Sequence, residues 1–301
     1  MNAHLDIAAP VAEALAEGRP VVALESTIVT HGMPWPENAA MAERVEAVVR
    51  TEGATPATIA VVDGRLKIGL TADERVALAQ TKGAMKLSRA DLAFALAEGR
   101  TGGTTVAATM LAAALAGIEV FATGGIGGVH KGAETSFDVS ADLDELARTG
   151  VIVVSAGAKA ILDVPKTLEI LETRGVPVVA FGQDAMPAFW SAASPWPAPL
   201  RLDTPRAIAR FHKAREALGI AGGVLVANPI PETDEIPFDI MAVHIAAAQK
   251  AADEKGVTGK AVTPFLLGEM LRLTGGASLK ANIALVENNA RLAARIAAAL
   301  A

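Results

Sequence analysis

Apolar positions along the chain fall into two recurring patterns. Six short runs are apolar almost throughout: VVAL at 21–24, TIAVV at 58–62, VFAT at 120–123, VIVV at 151–154, VPVVAF at 176–181 and GVLVAN at 223–228. Between them lie longer stretches with helical spacing. Runs that are continuously apolar instead of alternating suit strands covered on both faces, and their alternation with helices favours a parallel sheet. The pattern predicts an α/β fold, a three-layer α/β/α sandwich around a central, largely parallel (mixed) sheet.

Local signals place several helix starts. Thr71 with Glu74, and Ser88 with Asp91, have capping-box spacing, and Pro36 before Glu37 suits a first helical turn. The amino terminus reads as a short helix, and Ser278 to Ala301 as a long alanine-rich one. SPWPAPLRLDTP at 194–205 reads as an irregular loop and not a linker. Patterned apolar segments continue on both sides of it, so residues 1–301 are expected to form a single domain.

Composition narrows the partners. The 301 residues carry a formal net charge of −6, against the clustered Lys and Arg that phosphodiester backbones require, so no nucleic acid partner is expected. Cysteine is absent, which removes disulfides, thiolate nucleophiles and thiolate zinc sites and suits a cytoplasmic setting. The first twenty residues contain Asp6, Glu13 and Glu17 and lack the pattern of a secretory signal. The longest apolar stretch, Val106 to Ile118, is shorter than the ~18 residues of a spanning helix, so no membrane association is expected.

Unusual polar residues follow the predicted strands, where open parallel sheets bind ligands. Glu25 ends VVAL; held partly buried, it could do acid–base work, or it could simply bond to loop amides. Lys159, in VIVVSAGAKAIL, is flanked by apolar and small residues; it is either a poorly hydrated amine able to attack a carbonyl or a lysine that snorkels to water. TGGIGGVHKG at 123–132 fits neither GxGxxG nor GxxxxGK, so it is a close-approach loop or an ordinary tight turn. RTGGTTV at 100–106 places Thr104 and Thr105 at a helix start, an anion site or a well-capped helix. Asp138 and Asp142 flank Ser140, offering hard oxygens to magnesium or manganese or a plain helix cap. Among the five histidines, His31 and His130 lie in loops after strands, whereas His212 and His244 read as surface helix residues.

Taken together, seven blocks resemble the pseudouridine-5'-phosphate glycosidase family, also named after indigoidine synthase A. They are PVVALESTIVTHGMPWPEN at 20–38, AMKLSRADL at 84–92, GTTVAATM at 103–110, FATGGIGGVHKGAETSFDVSADL at 121–143, SAGAKAILD at 155–163, ANPIP at 227–231 and SLKANIALVENNA at 278–290. The resemblance implies cleavage of the C–C glycosidic bond of pseudouridine 5'-phosphate to uracil and ribose 5-phosphate. It implies Lys159 as nucleophile and Glu25 as proton donor. Lys86, Val106, Ser140, Ala141 and Asp142 would contact substrate, joined by Thr105, Thr123, His130 and Asn282, and Asp138 would hold Mn2+. A homotrimer is implied as well. A Schiff-base lyase for another sugar phosphate, or a non-catalytic sugar-phosphate binder, would use many of the same groups.

Overall fold

The computed structural model describes residues 4–257, 259 and 262–301. All six apolar runs form neighbouring strands. In chain order these are β2 (Val21–Leu24), β3 (Thr55–Val62), β7 (Val120–Ala122), β8 (Ile152–Ser155), β9 (Val178–Phe181) and β11 (Val224–Ala227). Among the described residues the sheet has eleven strands, ordered β1-β4-β3-β2-β7-β8-β11-β9-β10, with β5 and β6 branching from β3. The additional strands are β1 (Leu5–Ile7), β4 (Arg65–Ile68), β5 (Met85–Leu87), β6 (Gly102–Thr104) and β10 (Leu200–Leu202). The sheet is parallel from β3 along the path through β10, and among the described strands antiparallel pairing occurs where β3 meets β4 and β6.

Strand β3 makes the branch possible by its length. Thr55–Thr58 pair with β2, Ile59–Val62 pair with β4, and Ala60 and Val61 also pair with β6 on the other side. The Gly-Gly-Thr sequence of β6 gave no strand signal because its glycines answer to packing instead of propensity. A Cβ at Gly103 would lie 2.3 Å from Thr30 Oγ1 and 2.8 Å from the Ser26 carbonyl, so only glycine lets this strand pass the turn after β2.

Helices cover both faces, as the apolar runs require. The terminal helix, α12 (Ala277–Leu300), lies against β2, β7 and β8 with α2 (Glu37–Thr51) and α9 (Pro205–Ala217) beside it. On the other side α5 (Val106–Ala116) packs on the sheet next to α4 (Arg89–Ala97) and α7 (Ala141–Arg148). The predicted caps form: Thr71 Oγ1 accepts from the Glu74 amide at 3.2 Å while the Thr71 amide donates to Glu74 at 2.8 Å, and the Asp91 carboxylate accepts from the Ser88 amide at 2.9 Å.

Three expectations change. A strand, β1, precedes the amino-terminal helix α1 (Ala9–Ala16), and the proline-rich segment contributes β10 at the sheet edge. His212 is buried, because it shares the core-facing stripe of α9 with Ile208, Ala209 and Arg215. That burial pushes its imidazole toward the neutral form.

Candidate active site

The loops after β2, β7 and β8 meet at the carboxyl ends of three adjacent parallel strands, and a cleft of about 640 Å³, partly open to solvent, lies there. Glu25, Lys86, Lys159 and Asn282 line it together with Thr27, His31, Gly124 and Gly125. Four groups from β2, β5, the β8 loop and α12 are therefore brought to one space from positions far apart in the chain.

Glu25 is the electrostatic centre of this arrangement. Thr123 donates a short hydrogen bond to its Oε1 from the end of β7. Burial raises its pKa above the ordinary carboxylate value, and the nearby Asp142 charge adds to the rise; Lys159, the Thr123 hydroxyl and Lys86 pull the other way but do not prevail. A carboxyl of this kind keeps its proton to higher pH than a free one. Burial also lowers the pKa of His31, assisted by Lys86, and that of His130, assisted by Lys159 and Lys86 and opposed by Asp138. The field of two lysines therefore reaches across the cleft, an environment suited to an anionic ligand.

Lys159 is held by its backbone. The chain after β8 runs beside the glycine loop, with the Ile126 amide donating to the Gly157 carbonyl at 3.1 Å and the Lys159 amide to the Ile126 carbonyl at 3.1 Å. The side chain is half-buried. This pairing fixes where the amine starts without using the amine itself.

The glycine loop is strapped down on several sides. Gly127 donates its amide to Asp142 Oδ2 at 2.8 Å, Val129 donates to Thr167 Oγ1 at 3.0 Å, and Asn289 Nδ2 donates to the Thr123 carbonyl at 2.8 Å. Its glycines make room for neighbours: a Cβ at Gly125 would lie 2.7 Å from the Phe189 ring. Asn289 is itself fixed by Asn228 Nδ2 at 3.1 Å, a buried pair tying α12 to the ends of β7 and β11.

Asp142 is buried, and its other oxygen accepts the Ala107 amide at 2.9 Å while Ser140 Oγ caps its own amide at 3.2 Å. One carboxylate thus joins the glycine loop to the start of α5. Asp142→Ala leaves one buried and one partly buried amide without their charged acceptor and is expected to destabilise the fold by about 2–4 kcal/mol, read from denaturant midpoints.

The remaining predicted residues divide by placement. Val106 is the first residue of α5 and is buried, while Ala141 is exposed at the start of α7. Thr105, the residue before α5, keeps a buried hydroxyl with no partner among the described residues, as does Thr27 in the cleft. An unsatisfied buried hydroxyl is costly, and a polar ligand relieves that cost. Asp138 is half-buried, its carbonyl accepting the His130 amide at 3.0 Å, and its charge acts on the His130 ring. Its carboxylate and the His130 imidazole suit a hard divalent ion that keeps most of its waters. Among the described residues the one cluster of three ligand-type side chains lies elsewhere, at Glu119, His212 and Glu216.

Several residues of the site escaped the sequence reading, Phe189 and its neighbour Trp190 among them. Phe189 lines the cleft with a backbone φ of 62°, and Trp190 meets it edge-on at 4.9 Å between ring centroids. Trp190 Nε1 donates to Asn282 Oδ1 at 2.6 Å and to the Ser278 carbonyl at 3.2 Å. An adjacent Phe-Trp pair in a chain with 4% aromatic residues was the available signal.

Residues 10–299 match the family described as Indigoidine synthase A like protein. The chain belongs to that family. It is 72% identical to the pseudouridine-5'-phosphate glycosidase of Mesorhizobium japonicum over 98% of this chain and 97% of that protein. The enzyme of the same name from Roseobacter denitrificans is 64% identical over 99% of this chain and 96% of its own length. Among solved structures, the prealnumycin C-glycosynthase AlnA in complex with ribulose 5-phosphate superposes with a TM-score of 0.92 at 41% identity, covering 100% of this chain and 98% of that one. An indigoidine synthase A-like protein from Thermotoga maritima superposes with a TM-score of 0.88 at 34% identity, over 97% and 95% of the two chains.

Proposed function

We propose that this chain is a pseudouridine-5'-phosphate glycosidase that cleaves the bond between ribose C1' and uracil C5 through a lysine adduct. One observation carries the reading: Glu25 and Lys159 share one cleft in a chain 72% identical to a protein bearing that name. An ordinary glycosidase protonates an exocyclic oxygen or nitrogen, often with a second carboxylate as nucleophile or base. A C-glycoside has no such atom, and here an amine stands opposite the carboxyl.

In this mechanism Glu25 gives its proton to the ribose ring oxygen as Lys159 Nζ attacks C1', forming the N–C1' bond and breaking the ring C–O bond. The adduct nitrogen, an ammonium after the attack, gives a proton back to the Glu25 carboxylate and regains its lone pair. That proton, delivered from Glu25 to uracil C5, takes up the electron pair of the C1'–C5 bond. The Lys159 nitrogen lone pair stabilises the positive charge left on C1' as an iminium. Water adds to that carbon, releasing ribose 5-phosphate and restoring the amine. The atoms balance as substrate plus water giving uracil plus ribose 5-phosphate.

Lys86 would pair with the phosphate, and the Thr105 hydroxyl, the Val106 amide and the Ser140–Asp142 segment would orient the sugar phosphate, so that remote binding positions C1' for attack. Asp138, with His130 beside it, would hold manganese, which supplies positive charge when bound. The homotrimer that the family resemblance implies and the cytoplasmic setting that the lack of cysteine suits belong to the same reading, and sedimentation velocity tests the former.

Incubation with pseudouridine 5'-phosphate and manganese is expected to release uracil. Borohydride added during turnover is expected to label the peptide carrying Lys159; a label on another peptide overturns the nucleophile assignment. If the substrate stays intact, a binding protein is the better description.

Thr123 provides a pH test. Its hydroxyl stabilises the ionised form of Glu25. A proton donor is active below its pKa, so turnover is expected to fall as pH rises through the Glu25 pKa. In Thr123→Val that pKa rises further, and the alkaline limb of kcat is expected to move to higher pH. An unmoved limb assigns the titration to another group.

Trp190 provides a test of geometry. Its indole N–H fixes the Asn282 oxygen and so turns the Asn282 NH2 away from the tryptophan, leaving it to meet a carbonyl of the base. Trp190→Phe keeps the ring packing and frees the amide. KM is expected to rise several-fold with a smaller change in kcat, consistent with the loss of one oriented hydrogen bond of about 1 kcal/mol.

A further inference from the structure

Glu119 directly precedes β7, at the opposite end of that strand from Thr123, so about 13 Å of extended chain separates it from the cleft. Beside it lie His212 and Glu216, one turn apart on α9 and hence on one helix face. One ligand atom from each of the three residues lies within 4.8 Å of the others. The group also contains the kind of atom that asks for a ligand. His212 is 3% exposed, and neither of its ring nitrogens has a hydrogen-bond partner among the described residues. Its Nε2 stands 3.7 Å from Glu216 Oε1, aimed at the acidic pair without bonding to it.

We propose that Glu119, His212 and Glu216 form a second, structural metal site that takes a zinc-class divalent ion, with water in the fourth position. One imidazole nitrogen and two carboxylate oxygens suit zinc, whose ligand bonds of roughly 2.0–2.2 Å set tetrahedral edges of about 3.4 Å. The present spacing reaches that value by a movement of about an ångström, which the exposed Glu216 and half-buried Glu119 side chains can make. The ion would satisfy a His212 nitrogen and clamp α9 onto the amino end of β7. This site is independent of the manganese assigned to Asp138 and of the proposed reaction.

Lys213 holds the place of the ion. Its Nζ lies 3.6 Å from Glu119 Oε1 and 3.5 Å from Glu216 Oε2, an exposed ammonium between the two carboxylates. Zinc must displace it. The lysine therefore sets the affinity, and removing it strengthens the site.

The test uses the full chain, stripped with a chelator and titrated calorimetrically with Zn2+. Variants of the more accessible carboxylates avoid the packing change that replacing buried His212 would bring. Asp138→Asn is expected to bind zinc at this site as the parent does. The Glu119→Gln, Glu216→Gln double variant is expected to bind at least tenfold more weakly, and Lys213→Ala about tenfold more tightly. Co2+ in place of zinc is expected to give the intense visible absorption of a four-coordinate ion in the parent and in Asp138→Asn, but not in the double variant. Equal zinc affinity and stoichiometry in parent and double variant overturn the proposal, as does a Lys213→Ala affinity no higher than the parent's.

Discussion

Lys159→Ala is expected to lower turnover of pseudouridine 5'-phosphate by at least ~10⁴-fold, because the covalent route loses the atom that bonds to C1'. The loss should fall on kcat. The Lys159 backbone bonds, from its amide to Ile126 and from Leu162 to its carbonyl at 3.0 Å, survive the substitution, so the loop and the binding surface should persist. Calorimetry should still detect substrate binding. Lys159→Arg separates chemistry from charge: arginine keeps a positive group in the cleft but cannot give up its proton, so it cannot attack. Both variants should be inactive and unlabelled by borohydride. Turnover in the arginine variant would instead assign Lys159 an electrostatic role.

Glu25→Gln is expected to lower kcat by about 10²–10⁴-fold, the range for removal of a positioned proton donor. Gln retains a carbonyl oxygen for the Thr123 hydroxyl, so the hydrogen bond that holds the side chain can re-form. Stability should move the opposite way. Burial raises the pKa of Glu25 in the folded protein, so the protonated form favours folding and that contribution is lost as pH rises through the folded pKa. The amide never ionises. Melting curves across pH should therefore show the variant gaining on the parent as pH rises, an activity loss paired with a stability gain. A variant that is inactive and destabilised at every pH would point to a structural Glu25 instead.

The same two residues show how far the chain could be read before its structure. Continuous apolar runs located the central strands because burial on both faces leaves no room for alternation, and Glu25 and Lys159 were legible because Glu25 directly follows one such run and Lys159 lies five residues beyond another. Capping at Thr71 and Ser88 was legible because the bonds are local. Strand β6 was not, since two glycines carry no strand propensity and their reason is the approach of Thr30 and Ser26 from another segment. His212 was misplaced for a related cause: whether a helix position faces core or water depends on which neighbour covers it. Phe189 and Trp190 were missed because only the fold brings their loop against Gly125 and Asn282.

The sequence by itself determined the α/β class, the order of the central strands along the chain and the residue types that could do chemistry, because propensity, burial and capping act over a few neighbouring residues. Tertiary structure decided which of those residues meet. It set the strand order in space, raised the Glu25 pKa by burying the carboxyl, and tied the glycine loop to Asp142 across fifteen residues. It also left the His212 ring beside two glutamates without a hydrogen-bond partner among the described residues. Distances and local dielectric are properties of the packed chain, and a proton affinity or a coordination geometry exists only once those are fixed.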